Sequence, residues 1–357
     1  MRISILGSGA WGTALAISLA ARHDITLWSR DAEQVEVMRA SQRNQRYLPD
    51  ISLPAHLMLT SDIASALQKA ELIIVAVPVS GLRATLQMIA SHTPLSTSHP
   101  QAGEEANEKG DFQFPGVLWL CKGVETGTSL LPHQIVNETL PTQFPRGALT
   151  GPSFALEVAR GLPTALVLAS NDGEFGQRSA KALHHSRLRI YSSTDVVGVE
   201  VGGAIKNVLA IAAGICDGMK MGYNARAALL TRGLAEMTRL GLQMGGRAET
   251  LGGLAGVGDL ILTCTGDLSR NRQVGMLLAQ GKSLSTILSE LGHVAEGVYT
   301  AREVQRIAQQ NSVEMPICHA VYRVLYEELP AKQAVEMLLS RQPGEEFSAT
   351  GAYQSLA

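Results

Sequence analysis

A glycine-rich loop lies near the N-terminus, between an apolar segment (Ile3–Leu6) and an alanine-rich segment that favours helix. Its glycines Gly7, Gly9 and Gly12 have the spacing G-x-G-x-x-G. In a strand–loop–helix unit, the first glycine permits a tight turn, the second lets the backbone approach a pyrophosphate, and the third lets helix and strand pack closely. The start of the helix adds free N–H groups and a partial positive charge. The loop therefore predicts dinucleotide binding, with a purely structural glycine turn as the alternative.

The first half of the chain alternates apolar runs with segments that favour helix. The runs predict buried parallel strands at Ile3–Leu6, Ile25–Trp28, Leu72–Val77, Val117–Leu120 and Ala165–Leu168. The segments between them predict helices at Gly12–Ala21, Ala32–Ala40, Asp62–Lys69, Ser80–Ala90 and Ser129–Thr139. This alternation predicts an α/β fold with a doubly wound sheet, whose ligands bind at the carboxyl ends of the strands.

Near Ser193 the pattern changes to one that is helical throughout. The predicted helices are Val196–Gly218, Ala225–Met244, Leu254–Thr263, Ser269–Gln280, Ser283–Leu291, Thr300–Gln310, Met315–Glu327 and Ala331–Leu339. We therefore predict a dinucleotide-binding domain over residues 1–193, an all-helical domain over 194–342 and a frayed tail over 343–357. A Ser-, Pro-, Gly-, Glu- and His-rich segment predicts an exposed inserted loop at 92–115.

Composition narrows the class of protein. The chain has 357 residues and a net charge of −2, so no strong positive field favours nucleic acid or a membrane surface. Its 4 cysteines show no C-x-x-C spacing, which is typical of reduced thiols in the cytosol. The N-terminus lacks a signal-peptide pattern, and the longest apolar runs are interrupted by glycine and too short to span a bilayer. We expect a cytoplasmic protein without membrane insertion.

The residue after the second predicted strand bears on the choice of dinucleotide. An acidic residue at this place accepts the ribose 2′-hydroxyl of NAD, whereas Arg30 stands here. A guanidinium can bind a 2′-phosphate with two hydrogen bonds, which favours NADP(H). Asp31 follows directly, so use of NAD(H) stays open, as does a merely solvated Arg30.

A lysine in an almost wholly apolar helix is the main candidate for chemistry. Lys206 is followed by Asn207 and lies among small and apolar residues on both sides. Burial lowers the pKa of a lysine, because the charged form loses hydration, and this suits proton transfer near neutral pH. Asp259, after a glycine-rich segment, could orient that ammonium or could simply cap a helix. The alternative for Lys206 is a side chain that reaches solvent at the helix edge.

Three further segments carry polar groups to predicted element ends. Ser269, Arg270, Asn271 and Arg272 open a helix and could hold a phosphate or form an ordinary cap. Lys122 follows the strand Val117–Leu120 and would project over the ligand crevice, with an ordinary loop as the alternative both here and at the Gly-Pro-Ser turn. The further candidates are Gly151 and Ser153, which lie in a Gly-Pro-Ser turn, and Glu296, which could cap a helix or bind a ribose.

Other chemistries are disfavoured by the pattern. His184 and His185 lack a third ligand at suitable spacing, and the sequence has no HExxH motif or cysteine cluster, so we predict no metal site. It also has no G-x-S-x-G motif, which argues against a hydrolase.

Taken together, these segments resemble the bacterial-type NAD(P)-dependent glycerol-3-phosphate dehydrogenases. The likeness rests on the motifs 7–14 (GSGAWGTA), 44–49 (NQRYLP), 121–123 (CKG), 151–155 (GPSFA), 206–207 (KN), 256–260 (GVGDL) and 269–271 (SRN), in that order. It implies a Rossmann-like domain followed by a helical substrate domain, in a homodimer. It also implies NAD(P)H-dependent interconversion of dihydroxyacetone phosphate and sn-glycerol 3-phosphate, which supplies phospholipid synthesis.

The resemblance also implies residue roles. Lys206 would be the proton donor and acceptor, with Lys122 and Asp259 beside the reacting carbonyl. Residues implied to bind the substrate are Lys122, Gly151, Ser153, Lys206, Asp259, Ser269, Arg270 and Asn271. Residues implied to bind the dinucleotide are Gly7, Gly9, Ala10, Trp11, Gly12, Arg30, Tyr47, Lys122, Ala155, Arg270, Val294 and Glu296.

Two departures from the family pattern are Ala10, where relatives often carry a small polar residue, and the long 92–115 segment. Other functions also remain open. A 6-phosphogluconate-type or 2-hydroxyacid dehydrogenase pairs the same two kinds of domain and also uses a Lys-Asn pair. A non-catalytic dinucleotide sensor would need neither a buried lysine nor a phosphate site.

Overall fold

The computed structural model describes residues 1–92, 115–291 and 295–342. The inserted loop predicted at 92–115 therefore lies outside the described residues except for its two ends, and the tail predicted at 343–357 lies wholly outside them. The described part consists of a large sheet with helices on both faces, followed by a set of helices. The α/β class and the helical second half are thus confirmed.

Ten strands form the β-structure of the described residues. They are β1 (Arg2–Leu6), β2 (Asp24–Trp28), β3 (Arg43–Asn44), β4 (Leu48–Ser52), β5 (Met58–Thr60), β6 (Leu72–Val75), β7 (Gly116–Trp119), β8 (Arg146–Thr150), β9 (Thr164–Ala169) and β10 (Leu188–Ser193). Eight of them pair in the order β10-β9-β8-β7-β6-β1-β2-β5, and β3 pairs with β4 separately. β1 lies between β2 and β6, so the strand order reverses beside the glycine loop.

Sixteen α-helices accompany the strands in the described residues. The first seven are α1 (Ala10–Ala20), α2 (Ala32–Ser41), α3 (Ile63–Leu67), α4 (Val79–His92), α5 (Pro132–Thr139), α6 (Ala155–Ala159) and α7 (Gly173–Leu183). The rest are α8 (Val196–Gly218), α9 (Gly222–Gln243), α10 (Ala248–Leu251), α11 (Asp259–Thr265), α12 (Arg270–Ala279), α13 (Leu284–Leu291), α14 (Glu296–Gln310), α15 (Pro316–Tyr326) and α16 (Ala331–Leu339), with a π-helical turn at Leu254–Gly258.

The sequence prediction of an all-parallel sheet is wrong at one pair of strands. β9 runs antiparallel to β8, with Ala148 opposite Ala169 and Thr150 opposite Val167. For β9 to run parallel to β8, the chain would need a long crossover connection back to the other end of the sheet. The segment that joins β8 to β9 contains only the short helix α6. This segment therefore stays at the carboxyl end of β8. β3, β4, β5, β8 and β10 were not predicted, because they are short or lack a continuous apolar run.

The sheet is buried on both faces, as its apolar strands predict. Side chains alternate along each strand, so Ile5 and Leu118 pack on one face with Leu15 of α1. Leu6 and Trp119 pack on the other face, with α4 and α5. Helices on both faces leave the carboxyl edge of the sheet as the place where polar side chains can converge.

α8 forms the centre of the helical half. Its residues from Val196 to Cys216 are buried almost without exception. Where it crosses α12, a Cβ on Gly214 would lie 2.0 Å from the carbonyl oxygen of Arg272, and a Cβ on Gly275 would lie 2.0 Å from that of Ile211. Only glycine permits so close an approach of two helices at both positions.

α8 also corrects the prediction that no apolar run is long enough to span a bilayer. Its 23 residues have the length and composition of a membrane span, and its most apolar window has a mean hydropathy of 1.6. Within the protein, however, 94% of its most apolar window is buried. The length of the run therefore reflects a central position in the helical half.

Candidate active site

The glycine loop between β1 and α1 has the geometry that its spacing predicts. Gly7 has φ = +124°, and a Cβ there would lie 2.5 Å from the carbonyl oxygen of Ala76. A Cβ on Gly12 would lie 2.0 Å from the Gly7 carbonyl oxygen. At Gly9, by contrast, a Cβ would meet no atom of the described residues within 4 Å. Gly7 and Gly12 thus shape the turn, and Gly9 leaves room for a ligand to approach.

The start of α1 suits an anion. Gly9 is the N-cap residue, and no side chain of the described residues caps the helix in its place. The first N–H groups of α1 are therefore directed toward the open space beside Gly9. Loop and helix together fit the pyrophosphate of a dinucleotide.

A buried polar network holds this loop in place. Asn44 is fully buried, and its Nδ2 donates to the carbonyl oxygen of Ser8 and to Oγ1 of Thr13, both at 2.8 Å. Gln34 Oε1 accepts from the hydroxyl of Ser8 at 3.1 Å. The sequence interpretation included Asn44 in a family motif but gave it no role. Its position 36 residues from Ser8 hides the contact from any local pattern.

Two lysines share one buried carboxylate at the junction of the sheet and the helical half. Lys206 Nζ on α8 donates to Asp259 Oδ1 at 2.5 Å and to Thr263 Oγ1 at 2.9 Å. Lys122 Nζ donates to Asp259 Oδ2 at 2.6 Å and to the carbonyl oxygen of Gly151 at 2.9 Å. Lys206 is 6% exposed and Asp259 1% exposed. The structure thus brings together three of the predicted catalytic candidates.

The electrostatics of this cluster favour proton transfer by Lys206. Burial lowers the pKa of Lys206 to about 8; Asp259 opposes that shift and the positive charge of Lys122 adds to it. Burial raises the pKa of Asp259, but Lys122 and Lys206 outweigh burial and hold it below the ordinary value of 3.8. Asp259 therefore stays ionised, while Lys206 titrates near the physiological range.

Two glycines allow the close packing that places Asp259 beside Lys206. A Cβ on Gly202 of α8 would lie 2.7 Å from the carbonyl oxygen of Ala255, and a Cβ on Gly256 would lie 1.9 Å from that of Leu251. The π-helical turn at Leu254–Gly258 can therefore pack directly on α8. α11 begins at Asp259 immediately afterwards, which places the carboxylate against Lys206.

The turn after β8 forms a further wall of the site. Gly151 has φ = +134°, and its carbonyl oxygen accepts from Lys122 Nζ at 2.9 Å and from Ser153 Oγ at 3.1 Å. The antiparallel return of the chain into β9 keeps this turn at the carboxyl edge. The predicted candidates Gly151 and Ser153 thus lie beside Lys122.

The start of α12 lies beside the same cluster and is partly occupied by internal contacts. Ser269 Oγ caps α12 by accepting from the N–H of Arg272 at 3.3 Å. Asn271 Nδ2 donates to Asn207 Oδ1 at 3.0 Å, and Asn271 Oδ1 accepts from the N–H of Gly297 at 3.0 Å. Asn271 therefore ties α12 to α8 and α14. Arg272 also has internal partners, Asp217 at 2.7 Å and Asp267 at 3.1 Å.

Glu296 is the first residue of α14. Burial raises its pKa to about 6, and the positive charge of Arg270 acts in the opposite direction. A Cβ on Gly123 would lie 3.7 Å from Glu296 Oε2. Glu296 thus lies near both Arg270 and the loop after β7. The predicted candidate Val294 lies outside the described residues.

The remaining candidates lie around the glycine loop. Trp11 and Ala155 pack against the same small cluster of Ala14, Leu48 and Val158, which joins α1 to α6. Arg46 stacks on the ring of Tyr47 at 5.3 Å. The other candidates there are Ala10, the first residue of α1, and the exposed Arg30 at the end of β2. Among the residues the structure describes, no three His, Cys, Asp or Glu side chains are grouped to hold a metal ion.

Comparison with family models decides the family. A model described as the NAD-dependent glycerol-3-phosphate dehydrogenase N-terminus matches residues 2–176. The corresponding C-terminus model matches residues 195–336. The chain belongs to this family. The resemblance seen in the sequence motifs is confirmed, and the family accounts for both halves of the chain.

Individual relatives agree. The glycerol-3-phosphate dehydrogenase [NAD(P)+] of Thiobacillus denitrificans is 57% identical, over 97% of this chain and 100% of its own length. A crystal structure of glycerol-3-phosphate dehydrogenase from Coxiella burnetii is 40% identical with a TM-score of 0.86, and the match covers 95% of this chain and 99% of that one.

A more distant neighbour shares the fold alone. D-mandelate dehydrogenase in complex with NADH is 15% identical with a TM-score of 0.56, and the match covers 92% of this chain and 98% of that one. The same arrangement of sheet and helices therefore also occurs in a dehydrogenase with a different name.

Proposed function

We propose that this enzyme catalyses the NAD(P)H-dependent reduction of dihydroxyacetone phosphate to sn-glycerol 3-phosphate, and the reverse oxidation. The observation that carries the proposal is the buried carboxylate of Asp259, shared by Lys122 and Lys206 at the edge of the sheet. Family membership supports the same reaction. The product is the backbone precursor for phospholipid synthesis.

Lys206 is the proposed proton donor. A reduced nicotinamide cofactor, held at the glycine loop of Gly7, Gly9 and Gly12, would supply the hydride that the C2 carbonyl carbon accepts. Negative charge then grows on the carbonyl oxygen, and the ammonium of Lys206 protonates it. Asp259 holds the ammonium in place, and Lys122 adds a second positive charge near the oxygen. In the reverse direction, neutral Lys206 accepts the proton.

The substrate phosphate would bind near the start of α12. Ser269, Arg270 and Asn271 supply the N–H groups of a helix N-terminus and one guanidinium, and the turn with Gly151 and Ser153 closes the other side. We expect the N–H groups at the start of α12 and the positive charge of Arg270 to provide most of the affinity, because both favour an anion. The hydroxyl of Ser269 and the amide of Asn271 mainly hold the start of α12 in place through their hydrogen bonds to the protein.

The dinucleotide would lie along the glycine loop. Gly7, Gly9 and Gly12 shape the pyrophosphate site, and Arg30 would bind the 2′-phosphate of NADP(H). This supports a preference for NADP(H), with NAD(H) also used because the acidic Asp31, which caps α2 by accepting from the N–H of Gln34, directly follows Arg30. The other proposed contacts are Ala10, Trp11, Tyr47, Lys122, Ala155, Arg270, Val294 and Glu296.

We propose a domain boundary at 193/194, between the end of β10 and the start of α8. On the family resemblance we also propose a cytoplasmic homodimer without membrane insertion or nucleic-acid partners. Light scattering after size-exclusion chromatography tests the dimer; a mass near the 38.0 kDa of one chain would contradict it.

The activity is tested by following the oxidation of NADPH with dihydroxyacetone phosphate, and again with NADH. Dihydroxyacetone without its phosphate is the control. Rapid oxidation with the phosphorylated ketone and slow oxidation with the control are expected. Reduction of NADP+ by a 2-hydroxyacid or by 6-phosphogluconate, without turnover of the phosphorylated ketone, would favour the related dehydrogenases. Cofactor binding without turnover of any substrate would favour a sensor.

A further inference from the structure

A second buried carboxylate joins α8 to the strand that leads to Lys122. Glu200 is 6% exposed and accepts from Trp119 Nε1 at 2.7 Å and from the N–H of His133 at 2.8 Å. Its other oxygen lies 2.5 Å from Nδ1 of the same histidine. Glu200 thus connects α8 with the end of β7 and with the start of α5.

Glu200 lies on the face of α8 that also carries Lys206. Glu200, Gly203 and Lys206 follow one another at three-residue spacing, which keeps them on one side of a helix. The stem of Lys122 crosses this face between them, because a Cβ on Gly203 would lie 3.4 Å from Lys122 Cγ. Gly203 therefore leaves the space through which Lys122 reaches Asp259.

Two connections thus join α8 to the same stretch of chain. One is the bond between Glu200 and Trp119, and the other is the bridge from Lys206 through Asp259 to Lys122. The first connection holds Trp119 against α8 three residues before Lys122, so it limits where the second connection can form.

A small cavity lies at the same place. Its volume is about 10 Å³, and its walls include Lys122, Thr150, Glu200 and Gly203. Thr150 Oγ1 is buried in this region and has no hydrogen-bond partner among the described residues. This volume is about the least that one water molecule needs. Lys122 and Glu200 thus face one shared space and not two separate parts of the core.

We infer that Glu200 is a positioning residue for Lys122. It holds the end of β7 against α8 through Trp119 and His133, so that Lys122 meets Asp259 beside Lys206. Glu200 itself has no contact with the reacting atoms in this account. The inference rests on the roles proposed above for Lys122 and Lys206.

The test compares Glu200→Ala with Glu200→Gln in the full-length enzyme. The alanine variant removes all three hydrogen bonds, and we expect kcat to fall about 10- to 100-fold through misplacement of Lys122. The glutamine variant keeps an acceptor for Trp119 and for the N–H of His133, so it should retain most of the activity. NADPH affinity should stay unchanged in Glu200→Gln and should fall by less than kcat in Glu200→Ala, because Lys122 is also a proposed dinucleotide contact.

The pH profile distinguishes positioning from general loss of stability. Lys122 helps to lower the pKa of Lys206, so its displacement in Glu200→Ala should raise that pKa. The decline of ketone reduction at alkaline pH should then move to higher pH. Glu236→Ala is the matched control, because it also removes a buried carboxylate with hydrogen bonds to N–H groups, but at the start of α15. It should keep the wild-type profile.

Two results would overturn the inference. One is a wild-type kcat and pH profile in folded Glu200→Ala, and the other is the same pH shift in Glu236→Ala. If Glu200→Ala does not fold, Trp119→Phe removes one of the three bonds and should give a smaller shift in the same direction; an unshifted profile there would count against the inference. Turnover in Lys206→Ala would instead refute the proposed lysine roles themselves.

Discussion

The glycine loop after β1 and the lysine cluster at the junction with the helical half both lie at the carboxyl edge of the sheet but are built differently. The loop offers backbone and empty space, since Gly7 and Gly12 leave no room for a Cβ and Gly9 leaves room for a ligand. The cluster offers side-chain charges that are withdrawn from water, with Asp259 between Lys122 and Lys206. The glycine loop recognises its ligand by shape, and the lysine cluster recognises its ligand by charge.

Because they are built differently, the two regions should control different properties of the enzyme. A shape-based site contributes mainly to cofactor affinity, whereas buried charges aimed at a reacting oxygen contribute mainly to rate. Substitutions in the loop should therefore change the dissociation constant of NADPH, and substitutions in the cluster should change kcat. The predictions below test this separation, beginning with the largest effect.

Replacing Lys206 with alanine should give the largest loss of rate. The variant lacks the proton donor, so kcat for ketone reduction should fall about 10²- to 10⁴-fold. NADPH affinity, measured by fluorescence titration, should remain near that of the parent enzyme. A kcat close to the parent value would sink the assignment of Lys206.

Two glycine substitutions should distinguish an effect on the shape of the cofactor site from an effect on the stability of the fold. A Cβ on Gly12 would lie 2.0 Å from the Gly7 carbonyl oxygen, so Gly12→Ala should destabilise the enzyme by about 1–3 kcal/mol and weaken NADPH binding. Gly9→Ala is the matched variant, because its Cβ meets open space. It should keep the parent stability in urea unfolding but raise the NADPH dissociation constant about tenfold. Equal stability losses in both variants would argue against this distinction.

The choice of cofactor should depend on Arg30. Arg30→Ala should raise the KM for NADPH about tenfold, because a charge-assisted hydrogen bond is lost, and should leave the KM for NADH nearly unchanged. Steady-state kinetics with both cofactors measure the change. If the two KM values rise together, Arg30 does not read the 2′-phosphate.

The smallest expected effect concerns stability away from the crevice. Burial raises the pKa of Glu236 to about 7, although the N–H groups of Ile317 and Cys318 oppose the shift. The folded state therefore binds this proton more tightly than the unfolded state does, and the free energy of unfolding falls as pH rises from about 4.5 to about 7. Glu236→Gln removes this ionisation. The free energy of unfolding of Glu236→Gln, relative to that of the parent, should be higher above pH ~8 than below pH ~5. A difference between the two free energies that does not change with pH would contradict the prediction.

The two regions also differ in how far the sequence predicts them. The glycine loop is a local pattern, so its turn, its open position at Gly9 and its helix were all predictable. Lys206 and Asp259 were recognised as candidates, but they are 53 residues apart. Lys122 and Asp259 are 137 apart. The structure was needed to show that the carboxylate of Asp259 pairs with both lysines.

The remaining misses have similar physical causes. The antiparallel return of β9 depends on how a short connection packs, which an apolar run does not encode. Asn44 and Glu200 act through hydrogen bonds to segments 36 and 81 residues away. Their residue types alone are common on protein surfaces, and only burial identifies them as structural supports of the two regions.

The most direct test of the separation between the two regions uses the unmodified enzyme. Reduction of dihydroxyacetone phosphate needs protonated Lys206, so kcat/KM should fall as pH rises through about 8, and glycerol 3-phosphate oxidation should rise over the same range. The NADPH dissociation constant should stay flat over this range. Reduction that persists unchanged well above pH 8, or NADPH binding that declines in parallel with it, would contradict the account.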